Sequence, residues 1–302
     1  MAAMKPGVPN GVRLFMSRRT TAVRAARARA RVVRESCARL DVGWARWEGA
    51  RALREAIMRF ALTPIMRYYV RQRVSGREHL EAVDGPVVLV ANHTSHLDTP
   101  AILRALPRRW RMRTAVLAAA DYFYRSRPFA AFVSLLFNTV PIERRAGRGA
   151  GESTDHLDRL LSQRWNLLIY PEGTRSRDGK LGRLHRGAAY IAAKHRVRIV
   201  PIRVSGTRAA MPADGGWLRR SPGRRWLRRH PVEISFGAPI DPQAFPNRAA
   251  VMEQVRAFLS GEGSDGLRLT VSPSNGEVAT LSTPPADGAA DARESRSLAR
   301  AS

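Results

Sequence analysis

Five short apolar runs along the chain alternate with stretches of helical period. The runs Val87–Ala91, Arg113–Ala118, Trp165–Tyr170, Arg198–Val204 and Val232–Phe236 have the length of β-strands. Val87-Val88-Leu89-Val90-Ala91 carries no polar position, as expected of a strand covered on both faces. Between the runs, Thr99–Leu106, Phe129–Phe137, Glu152–Gln163 and Arg186–His195 read as helices, and residues 249–259 read as a closing helix. The alternation predicts an α/β fold, a mostly parallel sheet covered by helices.

The pattern changes at both ends. Residues 1–43 form a basic extension rich in Arg and Ala, with almost no apolar stripe. Residues 44–73 mix Trp44, Trp47, Leu53, Phe60, Ile65, Tyr68 and Tyr69 with Arg46, Arg51, Arg54, Arg59, Arg67, Arg71 and Arg73. This segment predicts amphipathic helices, with Pro64 breaking or kinking them. Two placements fit: the lipid headgroup region, or the domain's own core. The α/β domain is expected over 74–260. Residues 261–302 are Ser-, Pro-, Gly- and Ala-rich and predict a disordered tail.

Composition narrows the partners. The 302 residues carry a net charge of +27, which calls for an anionic partner: a membrane surface, an acidic substrate or nucleic acid. Lysine stands only at Lys5, Lys180 and Lys194, so nearly all of this charge is arginine. Cys37 is the only cysteine, so no internal disulfide and no Cys-based zinc site can form. No run of roughly 18 apolar residues is present, so the chain is expected to lie on a membrane rather than span it.

Two loops that follow apolar runs carry the candidate chemistry. After Ala91 comes Asn92-His93-Thr94-Ser95-His96-Leu97-Asp98. A histidine with a carboxylate on its second nitrogen makes a general base for activating an alcohol. The spacing permits Asp98 to fold back onto His93. It equally permits Asp98 to serve the start of the next helix, with His93 structural. Ser95 lacks the setting of a nucleophile elbow and is expected to cap or orient. After the run Trp165–Tyr170 comes Pro171-Glu172-Gly173-Thr174-Arg175-Ser176-Arg177. Here Gly173 allows close approach of backbone to a ligand, and Arg175 offers a planar fork to phosphate oxygens. Glu172 is expected to hold one of the many arginines. An ordinary surface turn is the other reading of this segment.

These residues resemble the glycerolipid acyltransferase superfamily, whose bacterial archetype is 1-acyl-glycerol-3-phosphate acyltransferase. Its Asn-His-x-x-x-x-Asp block is matched by Asn92, His93 and Asp98. Its second block is matched loosely by Val140-Pro141-Ile142-Glu143-Arg144. Its third is matched by residues 170–176, with Tyr170 in place of Phe, and its fourth by Val200-Pro201-Ile202. The resemblance implies His93 as general base and Asp98 as its orienting partner. It implies Arg144, Glu172, Gly173, Thr174 and Arg175 as residues binding a glycerophosphate acceptor. It further implies a lysophosphatidate-like acceptor, acyl-CoA or acyl-carrier protein as co-substrate, no cofactor and no metal. The place implied is the cytoplasmic face of the membrane, with an anionic lipid surface as partner. Other acceptors stay open: glycerol-3-phosphate, a lysophospholipid, an ornithine lipid or a glycolipid. A basic nucleic-acid-binding protein, with Trp217 and Trp226 as stacking residues, leaves the four ordered blocks without a reason, so no nucleic acid is expected.

Overall fold

The computed structural model describes residues 42–119, 126–142, 155–176, 178–212, 217–218 and 229–261. The expectations placed on residues 1–41, on Arg144 and on the tail from 262 lie outside the described residues.

Seven strands form one sheet: β1 Val70–Ser75, β2 Val88–Ala91, β3 Thr114–Ala119, β4 Thr139–Ile142, β5 Asn166–Ile169, β6 Ile199–Ser205 and β7 His230–Phe236. Their order is β1-β7-β6-β2-β5-β3-β4. Every neighbouring pair is parallel except β6 with β7. The expected mostly parallel sheet is therefore the fold. β2 lies in the middle and is buried along its whole length, which accounts for its unbroken apolar run.

The outer strands β1 and β4 escape the apolar pattern. β1 alternates, with Val70 buried while Arg71 and Arg73 face water, as an edge strand can. Residues 70–73, expected to be helical, are thus strand, and the α/β domain begins at Val70 rather than at 74. β4 contains Pro141, which a strand at the rim of a sheet tolerates.

Among the described residues, the α-helices longer than four residues are α1 Glu48–Ile57, α2 Thr63–Tyr69, α3 Asp98–Ala105, α4 Arg127–Phe137, α5 Asp155–Ser162, α6 Gly187–His195 and α7 Arg248–Ser260. One apolar cluster joins Met58, Met66 and the α3 residues Ala101, Ile102 and Leu103 to one face of the sheet. A second joins Leu157 and Leu160 of α5, Ala188 and Ala189 of α6, and Val251 and Val255 of α7 to the other face. Pro64 does not end its helix. A π turn, Met58–Leu62, links α1 to α2, with the Thr63 N–H bonded to the Met58 carbonyl. The wider turn gives room to a proline ring that would crowd the carbonyl four residues back in an α-helix.

The side chains of residues 44–73 divide between the core and the surface. Met58 and Met66 are buried in the core. Arg54, expected among the surface arginines, is buried instead. It donates to the carbonyls of Leu135 (2.7 Å), Ala45 (2.6 Å) and Ser134 (3.2 Å). Leu135 and Ser134 lie in the last turn of α4, where the Ser134 carbonyl also accepts from the Asn138 N–H at 2.9 Å. Burial first, and then Arg51 and Arg46, push the Arg54 guanidinium down to about 10, which still leaves it charged at neutral pH. Trp47, Phe60, Ile65 and Tyr68 remain exposed, Phe60 at 75%.

The connections define where a ligand can sit. From β2 the chain leaves through α3 on one face toward β3. From β5 it leaves through α6 on the opposite face toward β6. Neighbours β2 and β5 thus send their connections in opposite directions, which opens a crevice beyond their carboxyl ends. Both candidate loops, 92–98 and 171–176, begin there.

Candidate active site

The first loop is built from main chain as much as from side chains. Asn92 extends β2 toward β6: its Nδ2 donates to the Val204 carbonyl and its Oδ1 accepts from the Val204 N–H, both at 2.8 Å. His93 follows, with its own N–H donating to Glu172 Oε1 at 2.9 Å. The His93 carbonyl accepts from the Ser176 N–H at 2.8 Å, so the two loops are tied on both sides of the imidazole.

Asp98 folds back onto His93. Nδ1 of His93 and Oδ2 of Asp98 are 2.9 Å apart. The same oxygen accepts from the N–H groups of Thr94 (2.7 Å) and Ser95 (2.8 Å). Oδ1 accepts from the Thr207 hydroxyl at 2.5 Å. Four donors converge on this fully buried side chain, and its contact with Nδ1 sets the imidazole tautomer with the proton on Nδ1. Nε2 then carries the lone pair. It has no hydrogen-bond partner among the described residues, and the side chain is 19% exposed. Asp98 also opens α3, so it both meets His93 and starts the helix.

Tyr170, at the end of β5, stacks on the His93 ring with centroids 4.1 Å apart and planes 22° from parallel. Its hydroxyl pairs with Thr99 at 2.8 Å. Burial first, and the nearby Asp98 charge second, push the phenol upward, so it remains neutral. An aromatic ring at position 170 therefore fixes the imidazole plane. Ser95 is fully buried, donates to the Met211 carbonyl at 2.6 Å and accepts from the Leu97 N–H at 3.0 Å. It orients the loop, as expected.

The second loop holds one correction. Glu172 does not hold an arginine among the described residues. Its carboxylate is buried and spans two backbone donors, the His93 N–H and, at 3.0 Å, the Gly182 N–H. Gly173 turns the chain with φ +68, a conformation that side-chain-bearing residues seldom adopt, and its N–H closes the turn on the Tyr170 carbonyl at 3.1 Å. Thr174 is exposed beside it.

Arg175 is placed by a residue that the sequence pattern did not single out for it. Its Nη1 donates to Nε2 of His96 at 2.5 Å. Burial first, and the Arg175 charge second, hold His96 down at about 4, so it is a neutral acceptor. Arg175 thereby stands next to the loop of the imidazole. Thr207 is the other residue missed. It follows Gly206, whose φ of +80 and 2.0 Å approach of a would-be Cβ to the Pro231 carbonyl leave room for glycine alone.

The comparisons with known proteins bear on this geometry. A sequence model of the family described as Acyltransferase matches residues 71–205. The chain is 31% identical over 169 residues to the chloroplast 1-acyl-sn-glycerol-3-phosphate acyltransferase of Arabidopsis thaliana, covering 55% of this chain and 45% of that one. It is 30% identical over 151 residues to the human 1-acyl-sn-glycerol-3-phosphate acyltransferase alpha, covering 49% and 51%. The stretch that matches the family model holds both candidate loops, 92–98 and 171–176. The chain spans about half the length of these relatives. Its fold is that of the 1-acyl-sn-glycerophosphate acyltransferase PlsC of Thermotoga maritima, with a TM-score of 0.54 at 23% identity over 70% of this chain and 79% of that one.

Two consequences of this geometry are measurable. Thr207→Val removes one donor from a buried carboxylate, which costs about 1–3 kcal/mol of stability. We expect kcat to fall about tenfold and Thr207→Ser to restore it; a Val variant as active as the parent would deny Thr207 its positioning role. The second concerns acid. The folded state keeps His96 neutral down to about pH 4, whereas the unfolded chain takes up its proton near 6.5. The unfolded state binds more protons in that window, so stability drops as pH falls through it. Urea midpoints at pH 7 and pH 5 should separate more in the parent than in His96→Gln, and equal separations would contradict the assignment.

Proposed function

We propose that the chain transfers an acyl group from a thioester to the free hydroxyl of a 1-acyl-glycerol-3-phosphate, giving phosphatidic acid. The observation that supports this reading is the His93 imidazole, anchored through Nδ1 by Asp98 and leaving Nε2 open, in the same crevice as Arg175. Nε2 takes the proton of the lipid hydroxyl. The oxygen attacks the thioester carbonyl, a C–O bond forms, the C–S bond breaks, and the departing sulfur takes the proton back from Nε2. Arg175 grips the phosphate, and Gly173 and Thr174 border it. Glu172 serves indirectly, by holding the His93 loop to the Arg175 loop. Incubating the purified full chain with acyl-CoA and a thiol reagent tests this: thiol release should depend on added lysophosphatidate. Release indifferent to lysophosphatidate would refute it.

The acceptor is an amphiphile, and the reading includes attachment to the cytoplasmic face of the membrane. Among the described residues no helix is long and apolar enough to cross a membrane. Trp47, Phe60, Ile65 and Tyr68 are exposed on α1, α2 and the turns beside them, interspersed with the exposed Arg59 and Arg67. Such a surface suits insertion between anionic headgroups. Met58, Met66 and β1 belong to the core, so truncation at 73 would damage the fold and point changes are the cleaner probe. Phe60→Ser with Ile65→Ser should lower partition into anionic vesicles at least tenfold in a flotation assay, with the urea midpoint little changed. Undiminished partition would place the attachment elsewhere.

A further inference from the structure

A cleft of about 470 Å³ lies outside the His93–Arg175 crevice, between residues 183–186 and α7. Arg183, His185, Arg186 and Arg256 line it, over the apolar side chains of Leu184, Ala249 and Met252. Its one acidic side chain is Glu253, at the long distance of 4.0 Å from Arg256. Arg183 and Arg186 are exposed and have no ionic or hydrogen-bond partner among the described residues. Like charges lining one hollow repel, and an anion bound among them relieves that repulsion. A hollow this charged does not suit an acyl chain, which calls for apolar walls.

The wall of the cleft is continuous with the catalytic loops. Gly182 is held by the same Glu172 carboxylate that holds the His93 N–H. The His185 N–H donates to the Pro171 carbonyl at 2.8 Å, and the His185 ring flanks Gly173. Arg256 ties α7 to this wall through the Gly182 carbonyl at 3.0 Å. A ligand seated in the cleft therefore rests on backbone bonded to the turn Pro171, Glu172 and Gly173.

We propose that this cleft binds the phosphates at the nucleotide end of an acyl-CoA donor, an inference that rests on the acyl-transfer reading above. The acceptor phosphate is met by Arg175 beside His93, which leaves the cleft for the second anionic substrate. A concave site of this size fits a small polyanion, whereas the convex surface of a carrier protein needs an extended face. Arginines suit it because their planar forks match phosphate oxygens.

The test uses the full chain with Arg183→Gln and Arg186→Gln together, both being exposed positions where the fold tolerates change. Calorimetry with 3′,5′-ADP and with free CoA reads the cleft without any turnover; both should bind the parent, and at least tenfold more weakly the variant. In transfer assays the KM for acyl-CoA should rise at least tenfold, while the same acyl group on pantetheine, which lacks the nucleotide, should be used equally by parent and variant. Unchanged CoA binding would overturn the proposal even if acyl transfer is intact. Equal losses with acyl-CoA and acyl-pantetheine would also overturn it, as would a loss confined to acyl-carrier protein. Binding of CoA that follows the two arginines, in a protein that transfers nothing to lysophosphatidate, would keep the cleft and refute only the reaction.

Discussion

His93→Ala is expected to lower kcat/KM for acyl transfer about a thousandfold, the scale of a lost general base. The imidazole supplies Nε2 and nothing else in the described residues replaces it at that place. The fold should survive, because the structural bonds of residue 93 come from its main chain: the N–H to Glu172 and the carbonyl to Ser176. Asp98 keeps three of its four donors, from Thr94, Ser95 and Thr207. The expected stability loss is about 1–2 kcal/mol, one hydrogen bond to a charged group. His93→Gln, which restores some polar contact, should be equally inactive. Turnover within tenfold of the parent, in a variant whose urea transition remains cooperative, would remove the base assignment.

The second large effect concerns the acceptor. Arg175→Ala should raise the KM for lysophosphatidate roughly 30- to 100-fold, the worth of a charge-assisted pair, with the KM for the acyl thioester nearly unchanged. Arg175→Lys keeps the charge and loses the fork, so it should fall between. Arg175→Ala also removes the guanidinium donor from Nε2 of His96. His96→Gln separates the two contributions, since it disturbs the placement of Arg175 and leaves its charge. Equal losses for both substrates would argue against a phosphate contact and for a general disturbance of the loops.

How much of this could be read from the sequence depends on how local each determinant is. The inner strands β2, β3, β5 and β6 were legible because burial on both faces calls for largely apolar runs, and β7 because its buried and exposed positions alternate. Edge strand β1 buries alternate residues and tolerates Arg71 and Arg73, and edge strand β4 is short and holds Pro141, so their patterns merge with those of a helix or a turn. The His93–Asp98 pair was legible as an option, since five residues separate its members. Asp98 turned out to be both the partner of His93 and the first residue of α3. Glu172, Thr207 and His96 show the limit. Their roles depend on residues 79, 109 and 79 positions away, brought together by the neighbouring carboxyl ends of β2, β5 and β6. Charge alone suggested that Glu172 would pair with an arginine. The fold instead gives it two backbone N–H groups, because a loop crossing at the sheet's end leaves donors that no strand satisfies. Arg54 was misread for a related reason: the carbonyls it caps belong to α4, 80 residues on.

The account stands or falls on whether the anchored imidazole serves a phosphate-bearing lipid alcohol. Initial rates with one labelled acyl-CoA and a panel of acceptors at matched micellar concentration measure this directly: lysophosphatidate, glycerol-3-phosphate, and a lysophospholipid whose phosphate is masked by a choline. The expected result is labelled phosphatidate as the main product, with kcat/KM for lysophosphatidate at least tenfold above either competitor. Preference for glycerol-3-phosphate, or equal use of the choline-masked lipid, would contradict it.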